Sequence, residues 1–458
     1  MTDESNTWPQ GLLLTYYGDD FTGSTDVLEA FTAAGVPTVL FLEPPQAEDL
    51  EHFKHCRCVG LAGQSRGKSP EWMRSELPAA FESLKQMGAP ILQYKVCSTF
   101  DSSPSVGSIG QAIDLGVRTS TARWSPMIVG APRLKRFQVF GHLFAGSEDV
   151  VYRIDRHPTM SRHPVTPMTE GDLRLHLGEQ TQRRIELINL SELDEGWGQA
   201  RCDALQGDDQ PVVMMDVADT ASQIEVGRLL WENRSDGLFS ASSSGLQYAL
   251  AAYWRQLGLL PETPSLPVAQ AVSCIAVVSG SCSPMSGAQI QTARAHGFAT
   301  ERLNISSCLD AQQSGAEIER VVSNALSHIA QNRSPIVFSA EGPEDPAVLN
   351  FETTAAAAML SRSDAAVRVG QVLAEIMRQI LDRSHIRRFV VAGGDSSGAV
   401  GSHLGIRALT VEAGMAPGAP LCRTWSEDPK RDGLQVVLKG GQMGSVNLYD
   451  QVRSGVFP

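Results

Sequence analysis

The sequence has no long apolar run, few aromatic residues, no excess of positive charge and no paired cysteine motif. Of its 458 residues, 6% are aromatic and 19% are charged, and 38 Lys and Arg stand against 51 Asp and Glu. The formal charge of −13 repels polyanions, which disfavours nucleic-acid binding. No run of about 18 apolar residues is present, which argues against membrane association. The polar start MTDESNTWPQ does not resemble a secretory signal, so we expect a soluble, cytoplasmic protein.

Metal-binding and thiol chemistry find little support in the sequence. Cys56 and Cys58 would share one face of a strand, but no second Cys or His pair lies nearby to complete a zinc site. Cys97 lacks a histidine partner motif and is expected to be an inert thiol. The histidines fit no HExxH or comparable pattern. We expect all eight thiols to be reduced; they stand at positions 56, 58, 97, 202, 274, 282, 308 and 422.

The chain is long enough for two globular domains of about 150–250 residues each. Apolar runs alternate with amphipathic stretches in both halves, which predicts two α/β domains, each a mostly parallel sheet flanked by helices. The stretch 257–270 contains three prolines and no hydrophobic period, as is typical of a linker. We therefore place an N-terminal domain at 1–256, a linker at 257–270 and a C-terminal domain at 271–458.

Individual elements follow from local signals. A strand is predicted over 11–17, then a polar turn over 18–24 and a helix that Thr25 caps and Gly35 ends. The apolar pattern further predicts, among others, strands over 58–62, 91–95 and 302–305 and a helix over 284–295.

The first polar turn carries the first chemical motif, GDDFTGSTD at 18–26. It delivers polar and glycine residues to the carboxyl end of a strand, where open α/β sheets bind ligands. Asp19 or Asp20 could accept the proton of an attacking hydroxyl group. Alternatively, such residues only complete turn and helix-cap hydrogen bonds. The candidates in this turn are Asp19, Asp20, Thr22, Gly23 and Asp26.

The second motif, YKVCSTFDSSP, follows another predicted strand. Lys95 stands at the strand end beside Ser98 and Thr99, a combination that suits a carboxylate or phosphate ligand. Arg66, after an earlier strand, would add a second cation. Taken singly, either cation could also be a solvated surface charge.

Three glycine-serine loops form the third motif: SGSCS at 279–283, GGDSSG at 393–398 and KGGQMG at 439–444. Each follows an apolar strand and the first two open a helix, so their backbone N–H groups can approach phosphate oxygens with no Cβ in the way. Tight turns would explain any one of them, and none is a Walker loop or a GxGxxG motif. Three in one domain favour a nucleotide site. Its candidate residues are Ser281, Ser283, Gly393, Gly394, Asp395, Ser396 and Gly441.

Taken together and in order, these motifs resemble the four-carbon acid sugar kinase family. APRLKRFQVFGHLFAG at 131–146 and SSSGL at 242–246 extend the resemblance over nearly the whole chain. It implies that the N-terminal domain binds a small sugar acid, that the C-terminal domain binds ATP with Mg²⁺ on its phosphates, and that the active site lies in the cleft between them. The ligands of the Mg²⁺ are not identified by the sequence.

The resemblance also implies roles for the residues. Asp19 or Asp20 acts as base or orients the hydroxyl, Arg66 and Lys95 hold the carboxylate, and the nearby Ser98 and Thr99 bind hydroxyls. The family's DDFTGxxD turn and its ATP loops match well.

The chain departs from the family at one segment. Where the family has KxDSTLRGN, Cys97 replaces an acid and Asp101 an arginine. This difference implies a sugar acid of another shape than tetronate, such as the branched 3-oxo-isoapionate.

Two classes of function follow. The first is an ATP-dependent kinase that phosphorylates a hydroxyl of a small sugar acid, because phosphoryl transfer mainly needs positioning and charge neutralisation. The second is an inactive sensor of sugar acid or nucleotide on the same fold, which the intact Asp pair disfavours. We expect no nucleic-acid or membrane partner, and the sequence leaves a homo-oligomer open.

Overall fold

The computed structural model describes residues 8–147, 149–163, 165–205, 209–262 and 266–456. The fold is α/β with mostly parallel sheets, as predicted. The chain divides into two compact units: one comprises Met1–Val39 and Pro44–Ser265, the other Leu40–Glu43 and Leu266–Pro458. Residues 263–265 of the predicted linker lie outside the described residues.

The first unit contains a parallel sheet in the order β11-β4-β1-β3, with β2 next to β3. It also holds a small parallel sheet, β5-β10-β9, and a small antiparallel sheet, β6-β7-β8. Its strands are β1 Leu14–Gly18, β2 Thr38–Phe41 (the last two residues of which group with the second unit), β3 Cys58–Ala62, β4 Ile91–Lys95, β5 Ser125–Met127, β6 Arg136–Val139, β7 His142–Ser147, β8 Val150–Arg153, β9 Ile185–Ile188, β10 Val212–Met215 and β11 Leu238–Ser242. Its α-helices are α1 Phe21–Ala34, α2 Ala47–His52, α3 Pro70–Gln86, α4 Ile109–Gly116, α5 Leu173–Gly178, α6 Leu190–Asp194, α7 Gly198–Ala204, α8 Thr220–Glu232 and α9 Gly245–Gln256.

The second unit contains the strand order β16-β17-β18-β15-β12-β14-β13. The run from β18 to β13 is parallel, whereas β16, β17 and β18 pair antiparallel. Its strands are β12 Ala276–Ser279, β13 Ala299–Arg302, β14 Pro335–Phe338, β15 Arg388–Ala392, β16 Ala408–Ala416, β17 Ala419–Trp425 and β18 Gln435–Lys439. Its α-helices are α10 Pro284–Ala295, α11 Ile305–Leu309, α12 Ser314–Ala330, α13 Pro346–Leu349, α14 Phe351–Ala357, α15 Arg362–Arg383, α16 Gly394–His403 and α17 Leu448–Ser454.

The predicted start of the first helix is wrong. Helix α1 begins at Phe21, and Asp20 caps it by accepting a hydrogen bond from the backbone N of Gly23 at 2.6 Å. The hydroxyls of Ser24 and Thr25 donate to carbonyls of the preceding turn, so residues typical of a turn lie inside the helix. The predicted end is confirmed, because Gly35 adopts φ 94°, which glycine tolerates best.

The strand predicted over 302–305 is also wrong. Strand β13 ends at Arg302, and helix α11 begins at Ile305 after Asn304, whose side chain accepts a hydrogen bond from the backbone N of Ser307. The cap signal of Asn304 outweighs the apolar residues on either side of it.

The central strands form the core of each unit. Strands β1, β3 and β4 are buried at every position, as are β12, β14 and β15. Strands buried on both faces present their polar chemistry only where they end. No helix among the described residues is long and apolar enough to cross a bilayer.

Candidate active site

Three neighbouring parallel strands of the first unit end at one edge of the sheet. In the register of β1 with its neighbours, Gly18 lies opposite Ala62 of β3 and Lys95 of β4. Asp19 directly follows β1, and Arg66 lies in a short 3₁₀ helix, Ser65–Gly67, shortly after β3. The parallel pairing therefore brings together candidates that are far apart in the sequence.

Arg66 binds both candidate carboxylates. Its Nε and Nη2 donate to the two oxygens of Asp19 at 2.9 and 2.7 Å. Its Nη1 donates to Oδ2 of Asp20 at 2.8 Å. The backbone N of Arg66 also donates to the carbonyl of Asp19 at 2.9 Å. The guanidinium thus holds the two acids in fixed positions and neutralises part of their charge.

The two acids differ in environment. Asp19 is buried, and this burial raises its pKa even though the Arg66 charge opposes the shift. Burial alone would lower the pKa of Arg66, but Asp19 and Asp20 raise it. Asp20 is partly exposed, its side chain being 18% accessible. Solvent and substrate can therefore reach Asp20 more readily than Asp19.

The start of helix α1 fixes Asp20 from the other side. Besides the N-cap bond from Gly23, its Oδ2 accepts from Thr22 Oγ1 at 2.7 Å. A Cβ on Gly23 would lie 2.4 Å from Oδ1 of Asp20 and 3.1 Å from Nη2 of Arg66, so only glycine fits this close approach. Thr22 and Gly23 hold the acid in place in this structure.

Lys95 pairs with Asp26. Its Nζ lies 3.3 Å from Oδ2 of Asp26 and donates to the carbonyl of Val96 at 2.9 Å, and both charged side chains are buried. The other oxygen of Asp26, Oδ1, is buried without a hydrogen-bond partner among the described residues. An unsatisfied buried carboxylate oxygen is costly unless a ligand hydroxyl completes it.

The segment after β4 carries the residues that depart from the family pattern. Cys97 Sγ lies 2.9 Å from Thr99 Oγ1, and Thr99 in turn donates to Asp101. Burial raises the pKa of the Cys97 thiol, which fits the expectation of an inert thiol. Ser98 makes no hydrogen bond to the described residues and is partly exposed, and the buried Phe100 adopts φ 62°. A non-glycine residue at positive φ marks a tightly constrained segment.

The glycine-serine loops of the second unit also follow three neighbouring strands. They extend from β12, β15 and β18, which are adjacent in the sheet. Backbone hydrogen bonds join the loops: Gly280 N donates to Ala392 O at 3.0 Å, and Gly393 N donates to Lys439 O at 2.9 Å. The sheet therefore places the three loops next to one another at one of its edges.

Two of the loops meet around a buried lysine. Lys439 Nζ donates to Ser286 Oγ at 2.9 Å, and Ser286 lies 2.9 Å from Ser281 Oγ. Ser283 caps helix α10 and donates to the carbonyl of Gly441 at 2.5 Å. Burial lowers the pKa of Lys439 to about 7, and no carboxylate of the described residues pairs with it. Such a cation favours an anionic ligand.

The loop over 393–398 presents a helix N-terminus. Gly393 precedes α16 with φ 116°, and Gly394 is the first residue of the helix. Asp395 is exposed in the first turn, while Ser396 is buried. The free N–H groups and the dipole of a helix N-terminus attract phosphate.

The sequence analysis did not select Lys439, although the residue stands at the strand end that opens the third glycine loop. It also missed Ser286, one turn into α10, and Arg136 at the start of β6. The strand-end position of Lys439 was a usable signal, by analogy with Lys95. Ser286 and Arg136 had no such signal, because their importance depends on tertiary neighbours.

The chain matches two family models, described as a sugar-binding N-terminal domain over residues 14–250 and a nucleotide-binding C-terminal domain over residues 276–448. The first contains all the carboxylates and cations described for the first unit, and the second contains the three glycine loops. No group of three His, Cys, Asp or Glu side chains placed to hold a metal ion occurs among the described residues.

Three relatives match nearly end to end. A 3-oxo-isoapionate kinase of Paraburkholderia graminis is 62% identical, with 98% of this chain and 96% of the relative covered. A 3-oxo-tetronate kinase of Cupriavidus necator is 29% identical, with 96% of each chain covered. A crystal structure from Salmonella typhimurium LT2, described as that of a candidate tRNA synthase, has a TM-score of 0.76 at 25% identity and covers 96% of this chain and 98% of its own.

Proposed function

This chain belongs to the four-carbon acid sugar kinase family and is a sugar-acid kinase that uses ATP, and on that basis we propose that its acceptor is a branched 3-oxo sugar acid of the 3-oxo-isoapionate type. The observation that carries the proposal is the identity of 62% to a 3-oxo-isoapionate kinase, compared with 29% to a 3-oxo-tetronate kinase. The unusual segment with Cys97 and Asp101 supports it. In this segment Asp101 stands where a tetronate kinase with the family pattern has an arginine. The substrate sites of the two kinases would therefore recognise sugar acids of different shapes.

The sugar-acid site that we propose lies at the end of β1, β3 and β4. The unpartnered Oδ1 of Asp26 would accept a hydrogen bond from a hydroxyl of the acceptor. Ser98 and Thr99 would bind further hydroxyls, and Lys95 and Arg66 would supply positive charge around the acid. Because both cations already have carboxylate partners in the protein, a large part of their role would be to position Asp26, Asp19 and Asp20.

Asp20 is the better of the two candidates for the base. Its side chain is more accessible than that of Asp19, 18% against 4%. As the acceptor hydroxyl attacks the γ-phosphorus, the bond from this phosphorus to the β–γ bridging oxygen would break, ADP would leave, and the hydroxyl proton would pass to a carboxylate oxygen of Asp20. Arg66 would keep this carboxylate oriented, since its Nη1 donates to Oδ2 of Asp20.

The glycine loops fit the triphosphate of ATP. A Cβ on Gly441 would lie 2.9 Å from Ser281 Oγ, so a side chain there requires its neighbours to shift, and the buried Lys439 lacks an anionic partner among the described residues. We propose that backbone N–H groups at Gly394 and Gly441 face the phosphates, with Lys439 as their cation and Gly393 as the turn that opens the helix.

Mg²⁺ would enter with the nucleotide. A Mg²⁺ ion in such sites is held by one or two carboxylates together with the substrate phosphates, and Asp395 in the first turn of α16 is the carboxylate that fits. When bound, the ion would neutralise charge that develops on the transferring phosphoryl group.

A coupled assay of ATP consumption tests the acceptor. We expect turnover with 3-oxo-isoapionate and a kcat/KM at least about tenfold lower with 3-oxo-tetronates, which corresponds to about 1.4 kcal/mol of discrimination. A preference for a tetronate would contradict the proposed acceptor. Absence of turnover with every acid, in a protein that binds both ligands by calorimetry, would favour the sensor.

The domain boundary and the oligomeric state can be tested as well. We propose the boundary within 257–270, and a homo-oligomer as the state to test by light scattering coupled to size exclusion. Limited proteolysis within 257–270 that releases two stable fragments would support the boundary.

A further inference from the structure

Arg136 is a partly buried cation for which the described residues provide no carboxylate partner. It opens strand β6, and its Nη1 donates to the carbonyls of Leu134, Lys135 and Gly146 at 2.9, 3.2 and 3.3 Å. Its Nε is buried and has no hydrogen-bond partner among the described residues. Carbonyl groups thus orient the guanidinium without neutralising its charge.

Such an arrangement is costly unless an anion from outside completes it. A charge taken out of water loses its hydration, and only a close opposite charge with good hydrogen bonds compensates for this loss. Burial lowers the pKa of Arg136, and the more distant Cys97 and Asp101 offset this only in part. Arginine nonetheless stays protonated at neutral pH, so the unmet demand is for a negative ligand.

The position of Arg136 connects it to the proposed sugar-acid site. Cys97 and Asp101, the two groups that influence it electrostatically, belong to the segment after β4. The same Cys97 is influenced by Arg66 and Lys95. The segment is therefore within electrostatic range of all three cations of the first unit discussed above.

Of these three cations, Arg136 alone has no carboxylate partner among the described residues. Arg66 is held by Asp19 and Asp20, and Lys95 by Asp26. A ligand carboxylate at Arg66 or Lys95 would have to compete with an acid of the protein. At Arg136 it would meet no competing carboxylate among the described residues.

We propose that the guanidinium of Arg136 binds the carboxylate of the sugar acid. The inference rests on the proposed function of the N-terminal domain and names the group that recognises the acid end of its substrate. A planar guanidinium pairs with a carboxylate through two parallel hydrogen bonds, which fixes the orientation of the acid as well as its charge. The hydroxyl end would then point away from Arg136 toward the base.

The test compares an acid with its neutral carboxamide in the Arg136→Gln variant. We expect the variant to raise the KM for the sugar acid by about 10- to 100-fold, as loss of a charged hydrogen bond does. The KM for the carboxamide and the KM for ATP should stay unchanged. The thermal midpoint should be unchanged or higher, because the variant removes a partly buried charge without a carboxylate partner.

Arg153→Gln is the matched control. Arg153 ends strand β8 of the same small sheet, but it pairs with Asp155 at 2.6 Å and is 35% exposed. Its variant should leave the KM for the acid at the parent value. If Arg136→Gln does not fold, Arg136→Lys keeps the charge but loses the planar fork, and should raise the KM for the acid alone.

Two results would overturn the inference. One is a KM for the acid within about threefold of the parent, a difference too small for a lost charged hydrogen bond. The other is an equal rise for the acid and the carboxamide, which would indicate a structural role. If the parent turns over neither compound, the proposed function fails. Calorimetry then tests whether Arg136 binds the acid. Loss of acid binding in the Arg136→Gln variant supports this role, and binding equal to that of the parent refutes it.

Discussion

At the scale of single residues, Asp20 has a structural task and a proposed chemical one. It caps helix α1 and is the more accessible of the two acids bound to Arg66. These tasks can be separated, because asparagine is as good an N-cap as aspartate but cannot take up the proton.

We predict that Asp20→Asn lowers kcat by about 10²-fold or more, since general-base catalysis contributes roughly 10²–10⁴-fold. The fold and the affinity for ATP should stay close to those of the parent. Steady-state kinetics beside a thermal melt provide the measurement, and Asp20→Ala is the comparison that also loses the cap, at about 1 kcal/mol of stability. If kcat stays within about threefold of the parent value, the loss is too small for a missing base, and Asp19 becomes the candidate for the base.

Lys439 predicts a pH dependence of nucleotide binding. Burial lowers its pKa to about 7, so above that pH the free protein holds it mostly neutral. A phosphate beside it favours the charged form, so nucleotide binding should take up a proton near pH 8, and affinity should fall as the pH rises above about 7. Titration calorimetry in buffers of different ionisation enthalpy measures the uptake.

The control for this prediction is Lys439→Met, which should bind nucleotide more weakly and without the proton uptake. In the absence of nucleotide, the lowered pKa of Lys439 also sets the direction in which the free energy of unfolding changes with pH. The unfolded chain binds more protons than the folded one between about pH 7 and 10, so this group makes the free energy of unfolding rise with pH in that window. Proton uptake that persists in the Met variant would assign it to another group.

At the scale of elements, the glycine loops depend on how closely they pack. A Cβ on Gly441 would lie 2.9 Å from Ser281 Oγ and 3.0 Å from Ser283 Cβ, so the loops must shift to admit it. We predict that Gly441→Ala weakens ATP binding by about tenfold or more, or about 1.4 kcal/mol, in a folded protein. Calorimetry with a non-hydrolysable ATP analogue tests this.

Gly315→Ala is the matched control for Gly441. Gly315 lies in the first turn of α12, in the same unit, and a Cβ there would meet nothing within 4 Å. Its affinity for the analogue should equal that of the parent. If both variants bind normally, the loop around Gly441 is not part of the nucleotide site.

At the scale of the whole molecule, the two units should respond to different ligands. A ligand that binds the folded state protects the region it contacts from opening. We predict that an ATP analogue slows amide hydrogen exchange at the ends of β12, β15 and β18, whereas the sugar acid slows it at the ends of β1, β3 and β4. Mass spectrometry of peptic fragments resolves the two regions, and the reverse pattern would exchange the assigned roles.

Much of the fold was accessible from the sequence because its strands are short apolar runs with polar residues at their ends. Strands β3 and β4 and helix α10 begin and end where the pattern predicted. The sequence analysis missed the hairpin of β16 and β17 and the antiparallel sheet that Arg136 opens. Antiparallel pairing of this kind depends on which strand lies alongside, which local periodicity does not encode.

By itself, the sequence determined the α/β class, the chemical character of each half and the identity of most candidate residues, because strand ends and glycine loops are local features. Only the tertiary structure decided how the charges are distributed. It assigned Arg66 to both Asp19 and Asp20 and Lys95 to Asp26, and it left Arg136 without an anion among the described residues. The physical reason is that an ion pair depends on distance in space, and residues far apart in sequence meet only when parallel strands align their ends.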